Sequence, residues 1–215
     1  RDNARYLGSE INGAFAQYCA VPLRNTYPIN SEMTDIELAS FPCSWATAEH
    51  MLTRSRLRKG QTLVVTGASG GVGTALIQLA KLREANVIAV TSSEKFDSVK
   101  DCGADLLLDR NEKELKSNII ELAQGPVDVL ADVAGGNNFV QLFESIAKGG
   151  CYVTSGAIAG PIVDLDLRTL YLNDIEMHGC TVYDPAVFKL LVEYIENERV
   201  KPIIGGVFRL EEIRH

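Results

Sequence analysis

Residues 61–73 read Gln61-Thr62-Leu63-Val64-Val65-Thr66-Gly67-Ala68-Ser69-Gly70-Gly71-Val72-Gly73. An apolar run, Leu63–Val65, stops at a glycine-rich turn. The turn opens into Thr74-Ala75-Leu76-Ile77-Gln78-Leu79-Ala80-Lys81, whose pattern predicts a helix. Strand, tight glycine turn and helix are the parts of a pyrophosphate site. Glycine at 70 lets backbone approach phosphate with no side chain between them. The helix start offers unpaired N–H groups and the positive end of its dipole. Gly73 lets the helix lie close on the strand. An ordinary glycine turn is the plainer alternative, but the flanks on both sides fit a nucleotide. Ala68, Ser69, Gly70, Gly71, Val72 and Gly73 are therefore the expected dinucleotide cradle.

Outward from the turn, Asn86–Thr91 predicts the second strand, and Thr91 lies 18 residues beyond Gly73. An Asp or Glu here would hydrogen-bond a ribose 2′-hydroxyl and repel a 2′-phosphate. The chain has Thr91, Ser92, Ser93, Glu94 and Lys95 instead. With no carboxylate at the strand end, and with Ser92, Ser93 and Lys95 able to hold a phosphate, NADP(H) is expected over NAD(H). Helix capping competes for the two serines, solvation for Lys95, and Glu94 opposes the reading if it turns inward.

Strand and helix patterns continue in alternation. Helices are expected over Phe96–Cys102, Glu112–Gln124 and Phe139–Ala147, the last capped by Asn137 or Asn138 and broken by Gly149-Gly150. Strands are expected at Leu106–Leu108, Val127–Val133, Cys151–Ser155 and Ile175–Val182. This is a doubly wound parallel α/β sheet with right-handed crossovers. Ligands on such a sheet bind at the carboxyl ends of the strands. Ala134 and the run Ser155, Gly156, Ala157 and Ile158 join the cradle and Thr91–Ser93 there. The flanks differ. Short strands and turns are expected before residue 34, and Thr34-x-x-Glu37 is a capping box opening a helix. A helix over Ser44–Arg56 follows Pro42, another spans Pro185–Glu198, and Ile203–Leu210 reads as a strand leaving the nucleotide fold.

The 215-residue chain has a net charge of −7 and a pI of about 5.1. That balance argues against nucleic acid and against an anionic membrane surface, and no apolar stretch approaches the ~20 residues of a membrane span. Cys19, Cys43, Cys102, Cys151 and Cys180 are scattered and odd in number. They suit neither a disulfide framework nor a four-cysteine zinc site, and a reducing, cytoplasmic setting is expected.

Six pieces, in order along the chain, resemble the medium-chain dehydrogenase/reductase superfamily of alcohol dehydrogenases and quinone reductases. They are Gly13–Tyr18 with Val21-Pro22, Phe41–Ala48, Val64–Gly73, Cys102–Asp105, Asp132–Gly136 and Gly149–Val153. The resemblance implies a Rossmann sheet of order 3-2-1-4-5-6, inserted into a GroES-like catalytic domain built from both chain ends. It allots residues 1–45 and 188–215 to parts of the catalytic domain and 46–187 to the nucleotide domain. The chain, beginning at Arg1, is expected to be an internal piece lacking the family's first and last segments.

By the same resemblance, Thr47 lies near the nicotinamide and Cys43 matches a zinc ligand of the zinc-dependent members. Zinc is not favoured, because no other Cys or His completes a set and the Gly67–Gly73 turn is more like that of the zinc-free quinone reductases. The resemblance further implies hydride transfer to or from a carbonyl, alcohol or activated alkene, a small-molecule substrate, and a homodimer through the sixth strand. Cys180 and Thr181 are expected near the nicotinamide carboxamide. His178 reads as structural, Tyr152 and Tyr183 as packing residues, and His50 and His215 carry no motif.

The glycines also fit a short-chain dehydrogenase, but that family needs Lys four residues after a Tyr. Tyr152, Tyr171 and Tyr194 are followed instead by Gly156, Ile175 and Glu198. A non-catalytic nucleotide-binding module, sensing NADP(H) or acting as a scaffold, is the alternative.

Overall fold

The computed structural model describes residues 5–212, so Arg1 and His215 lie outside the described residues. Six parallel strands form one sheet: β1 (Thr62–Thr66), β2 (Asn86–Thr91), β3 (Leu106–Asp109), β4 (Val127–Asp132), β5 (Ile146–Thr154) and β6 (Glu176–Gly179). Their order is β3-β2-β1-β4-β5-β6, as expected. β1 lies between β2 and β4, so the connections leaving it and β4 run to opposite halves of the sheet, the switch point at whose carboxyl ends such sheets bind ligands.

The helices are α1 (Asp35–Leu38), α2 (Ala46–Ser55), α3 (Gly71–Leu82), α4 (Phe96–Asp101), α5 (Leu115–Ala123), α6 (Phe139–Phe143), α7 (Leu167–Leu172) and α8 (Pro185–Glu196). They cover both faces of the sheet, which explains why the strands are apolar runs and not alternating patterns. Leu63 and Val65 of β1 join one core cluster with α2, α3 and α8, while Val64 joins the other with α5 and α6. The period-two direction of strand side chains divides them.

Several elements differ from expectation. Gly149 and Gly150 do not end a helix. α6 stops at Phe143, where Ser145 Oγ donates to Leu142 O at 2.6 Å. β5 then begins at Ile146 and carries both glycines through a bulge opposite Val127–Val129, with Gly149 at φ +73°. Only glycine enters that conformation without strain. α7, capped by Asp166, is a helix where the sequence pattern predicts none.

The flanks hold no strand of the sheet among the described residues. Before residue 34 there is one isolated bridge, Leu7 to Ile11, in place of the short strands. The strand expected over 203–210 is absent too. Lys201 is tied to Gln78 of α3 by two hydrogen bonds, but beyond it the backbone meets no partner strand, and a lone strand cannot satisfy its own amides. The Thr34–Glu37 capping box is present. Pro42 does not separate two helices: Phe41–Trp45 forms a π-helical turn running directly into α2.

Candidate functional site

The cradle is built by what glycine omits. Gly67, at φ +57°, turns the chain out of β1, and its carbonyl accepts the Gly70 N–H at 3.0 Å. A Cβ on Gly73 would stand 2.3 Å from that same carbonyl oxygen, so α3 can reach β1 this closely only with glycine there. Gly70 caps α3 with extended backbone and no side chain. The N–H groups of Gly71, Val72 and Gly73 meet no protein acceptor among the described residues. Three amides at the positive end of a 12-residue helix are arranged for an anion.

Ser69 and Thr91 join the cradle to β2, the Thr91 hydroxyl lying 3.1 Å from Ser69 Oγ. Thr91 and Ser92 are both buried. Ser92 Oγ donates to Glu94 Oε1 at 3.2 Å, so Glu94 does reach this corner. A second carboxylate, Asp109 at the end of β3, accepts from the backbone of Ser93 and Asn111. Those bonds, Asn111 foremost, hold its pKa below the ordinary carboxylate value. Ser93 and Lys95 are exposed, and Lys95 has no ion-pair partner among the described residues.

At the other end, the loops leaving β4 and β5 close on each other. Ala159 N donates to Ala134 O at 2.8 Å and Gly136 N to Gly160 O at 3.0 Å. A Cβ on Gly135 would meet Gly160 O at 2.6 Å, which keeps glycine at this contact. Ala134 and Ser155 are half-buried, while Gly156, Ala157 and Ile158 are exposed. Ser155 Oγ lies 3.1 Å from the sulfur of Met51 on α2, and Thr47 occupies the first turn of that helix. The candidates at both ends thus follow the carboxyl ends of β1, β2, β4 and β5, with Thr47 beside them.

Beneath these loops lies a residue that sequence reasoning missed. Asp132 is fully buried at the end of β4. Its Oδ1 accepts from Thr66 Oγ1 and from the amides of Ala134 (2.9 Å) and Gly135 (3.0 Å), and its Oδ2 accepts from Tyr152 Oη at 3.1 Å. Tyr152 is also packed edge-on against Phe139 and Phe143, and burial pushes its pKa up. A carboxylate at a strand end was the available signal, but its side-chain partners come from two other strands, β1 and β5, and no spacing shows them.

A family model described as zinc-binding dehydrogenase matches residues 71–197. The chain belongs to this family, within the medium-chain dehydrogenase/reductases. A NAD-dependent alcohol dehydrogenase of Sulfurisphaera tokodaii is 30% identical over 98% of this chain and 62% of its own length. The solved structure of an alcohol dehydrogenase candidate from Sinorhizobium meliloti 1021 superimposes with a TM-score of 0.93 at 44% identity, covering 98% of this chain and 58% of that one. The structure of the 2-octenoyl-CoA carboxylase reductase CinF, in complex with NADP and 2-octenoyl-CoA, gives 0.91 at 25% identity, covering 97% and 52%. This chain therefore spans about three-fifths of the length of the curated relatives it matches.

Cys43 is exposed, and among the described residues no group of three His, Cys, Asp or Glu side chains is placed to hold a metal. His178 is satisfied between Arg54 (3.2 Å) and Glu176 (3.1 Å). Tyr183 donates to Pro42 O at 3.3 Å. Cys180 is buried, its amide bonded to Thr154 O at 2.8 Å, while Thr181 is exposed. The dinucleotide does fit, because the cradle combines free amides with glycines that a Cβ would block. No helix among the described residues is long and apolar enough to cross a membrane.

Proposed function

We propose that this chain is the dinucleotide-binding part of an NADP(H)-dependent oxidoreductase acting on a carbonyl, alcohol or activated alkene of a small molecule. The observation that carries the reading is the unpaired amide set of Gly71–Gly73 beneath a turn in which neither Gly67 nor Gly73 leaves room for a Cβ. When bound, NADP(H) supplies the hydride; this chain's part is to hold, orient and shield. Ala68, Ser69, Gly70, Gly71, Val72 and Gly73 hold the diphosphate, and Thr91 steadies Ser69. Ser92, Ser93 and Lys95 meet the 2′-phosphate. Asp109 is less of an obstacle there than its charge suggests, because both its oxygens already accept backbone N–H groups. Asp132 fixes the β4 loop, so that Thr47, Ala134, Ser155, Gly156, Ala157 and Ile158 border the nicotinamide end.

In this reading residues 46–187 form the nucleotide domain, and 1–45 and 188–215 belong to the catalytic domain. A reducing compartment such as the cytoplasm suits five free cysteines. The homodimer forms through β6, an end strand that exposes Met177 and follows exposed Leu167, Tyr171 and Leu172 of α7.

The test is titration of NADPH against NADH. Wild-type protein prefers NADPH, Lys95→Ala removes most of that preference, and Glu94→Gln increases it. Equal affinities unchanged by either substitution overturn the cofactor choice. Sedimentation of Tyr171→Glu tests the dimer, which should dissociate.

A further inference from the structure

The π-helical turn Phe41–Trp45 carries a hydroxyl to the rim of the cradle. Phe41 and Trp45 anchor it: both are buried, and their rings stack at 4.9 Å. The backbone N–H of Ala46 reaches the Phe41 carbonyl, the wider i→i+5 closure of a π turn. Between the two anchors stands Ser44, half-buried, its hydroxyl bonded to no protein group among the described residues and open to solvent. The hydroxyl lies over the first residue of α3. A Cβ added to Gly71 would stand 2.6 Å from Ser44 Oγ and 3.3 Å from Ser44 Cβ. Gly71 is exposed to solvent on its other side, so it is Ser44 that leaves no room for a side chain there.

The Ser44 hydroxyl lies against the first residue of α3, whose N–H, like those of Val72 and Gly73, meets no protein acceptor among the described residues. Donors gathered around one small volume recognise an anion, and a hydroxyl adds a hydrogen bond from a direction the helix end cannot supply.

We propose that Ser44 Oγ is a direct ligand of the diphosphate bridge, donating to a phosphate oxygen alongside the α3 amides. This rests on the dinucleotide reading above and deepens it. It gives the π turn a function: the turn holds Ser44 over the cradle while Thr47, one helical turn later, faces the nicotinamide end. It also makes the interdomain segment, and not only the nucleotide fold, part of the phosphate grip.

The experiment measures two probes on the full chain, wild type and Ser44→Ala, by calorimetry. NADPH contains the diphosphate; adenosine 2′,5′-bisphosphate has the 2′-phosphate end but no diphosphate bridge. Ser44→Ala is expected to raise the NADPH Kd by about tenfold, the loss of one hydrogen bond to a charged group. It should leave the bisphosphate Kd unchanged. In phosphorus NMR of bound NADPH the diphosphate resonances should move and the 2′-phosphate resonance should stay. Ser44→Gly, which also removes the hydroxyl, gives a second reading should the alanine variant fold poorly. NADPH affinity unchanged in the variants overturns the proposal. So does an equal loss for both probes, which would mean that Ser44 only shapes the cradle. Failure of the wild-type chain to bind NADPH or NADH is a different result: it overturns the dinucleotide reading, and this proposal with it.

Discussion

Tyr152 Oη donates to Asp132 Oδ2 at 3.1 Å, across neighbouring strands β5 and β4 and wholly out of water. The bond is one of four that satisfy a buried carboxylate with no ion-pair partner among the described residues. Tyr152→Phe removes one donor and should cost about 1–3 kcal/mol, the penalty for leaving a buried acceptor unpaired. Asp132→Ala strands Thr66, Tyr152 and two backbone amides together and should cost more. Urea denaturation reads both. Because Asp132 holds the Ala134 and Gly135 amides, its loss should also weaken NADPH binding, whereas a merely local packing role would leave binding intact.

The glycines of the chain divide sharply in their tolerance. Gly73→Ala forces a methyl to within 2.3 Å of the Gly67 carbonyl, and backbone cannot step aside as a side chain can. A loss of about 3 kcal/mol and failure of NADPH binding are expected. Gly205→Ala meets nothing within 4 Å and should change stability by no more than about 0.5 kcal/mol. Similar thermal midpoints for the two variants would contradict this packing of α3 on β1.

Glu49 and Arg83 form an ion pair between α2 and α3, with the Glu49 side chain fully buried. Its Oε1 also accepts from Thr53 at 3.1 Å, while Oε2 meets no donor among the described residues. Arg83→Ala leaves a buried carboxylate without its cation and should cost about 3–5 kcal/mol. The paired change Glu49→Met with Arg83→Met should cost much less, because it removes both desolvated charges. A double variant no more stable than the single one would show that the pair is worth its burial.

The thiols should react in two classes. Burial pushes Cys151 up to about 11 and raises Cys102 and Cys180 as well. At pH 8 these three are protonated and sheltered, while Cys19 and Cys43 are exposed. Iodoacetamide followed by mass spectrometry should find label on Cys19 and Cys43 alone until denaturant is added. Cys151 reacting as fast as Cys43 in the native protein would show that β5 is open.

Much of the architecture is local in origin and so was legible. The apolar run at Leu63–Val65, its glycine turn, and the α3 pattern specify strand, turn and helix from near neighbours. Repeated down the chain, they specify a parallel sheet. The errors fall where a segment's state depends on something distant. Residues 203–210 have strand composition but no partner strand among the described residues, and Gly149-Gly150 look like a helix end until β4 and β5 pair around the bulge.

The cradle belongs to the sequence itself, because glycine's missing Cβ and a helix's free amides are properties of adjacent residues. The Asp132–Thr66–Tyr152 network and Ser44 over Gly71 belong to the tertiary structure. Their members lie on separate elements, and only closure of the sheet brings polar atoms from three strands within bonding distance, while the Phe41–Trp45 turn folded back onto α3 sets Ser44 against Gly71.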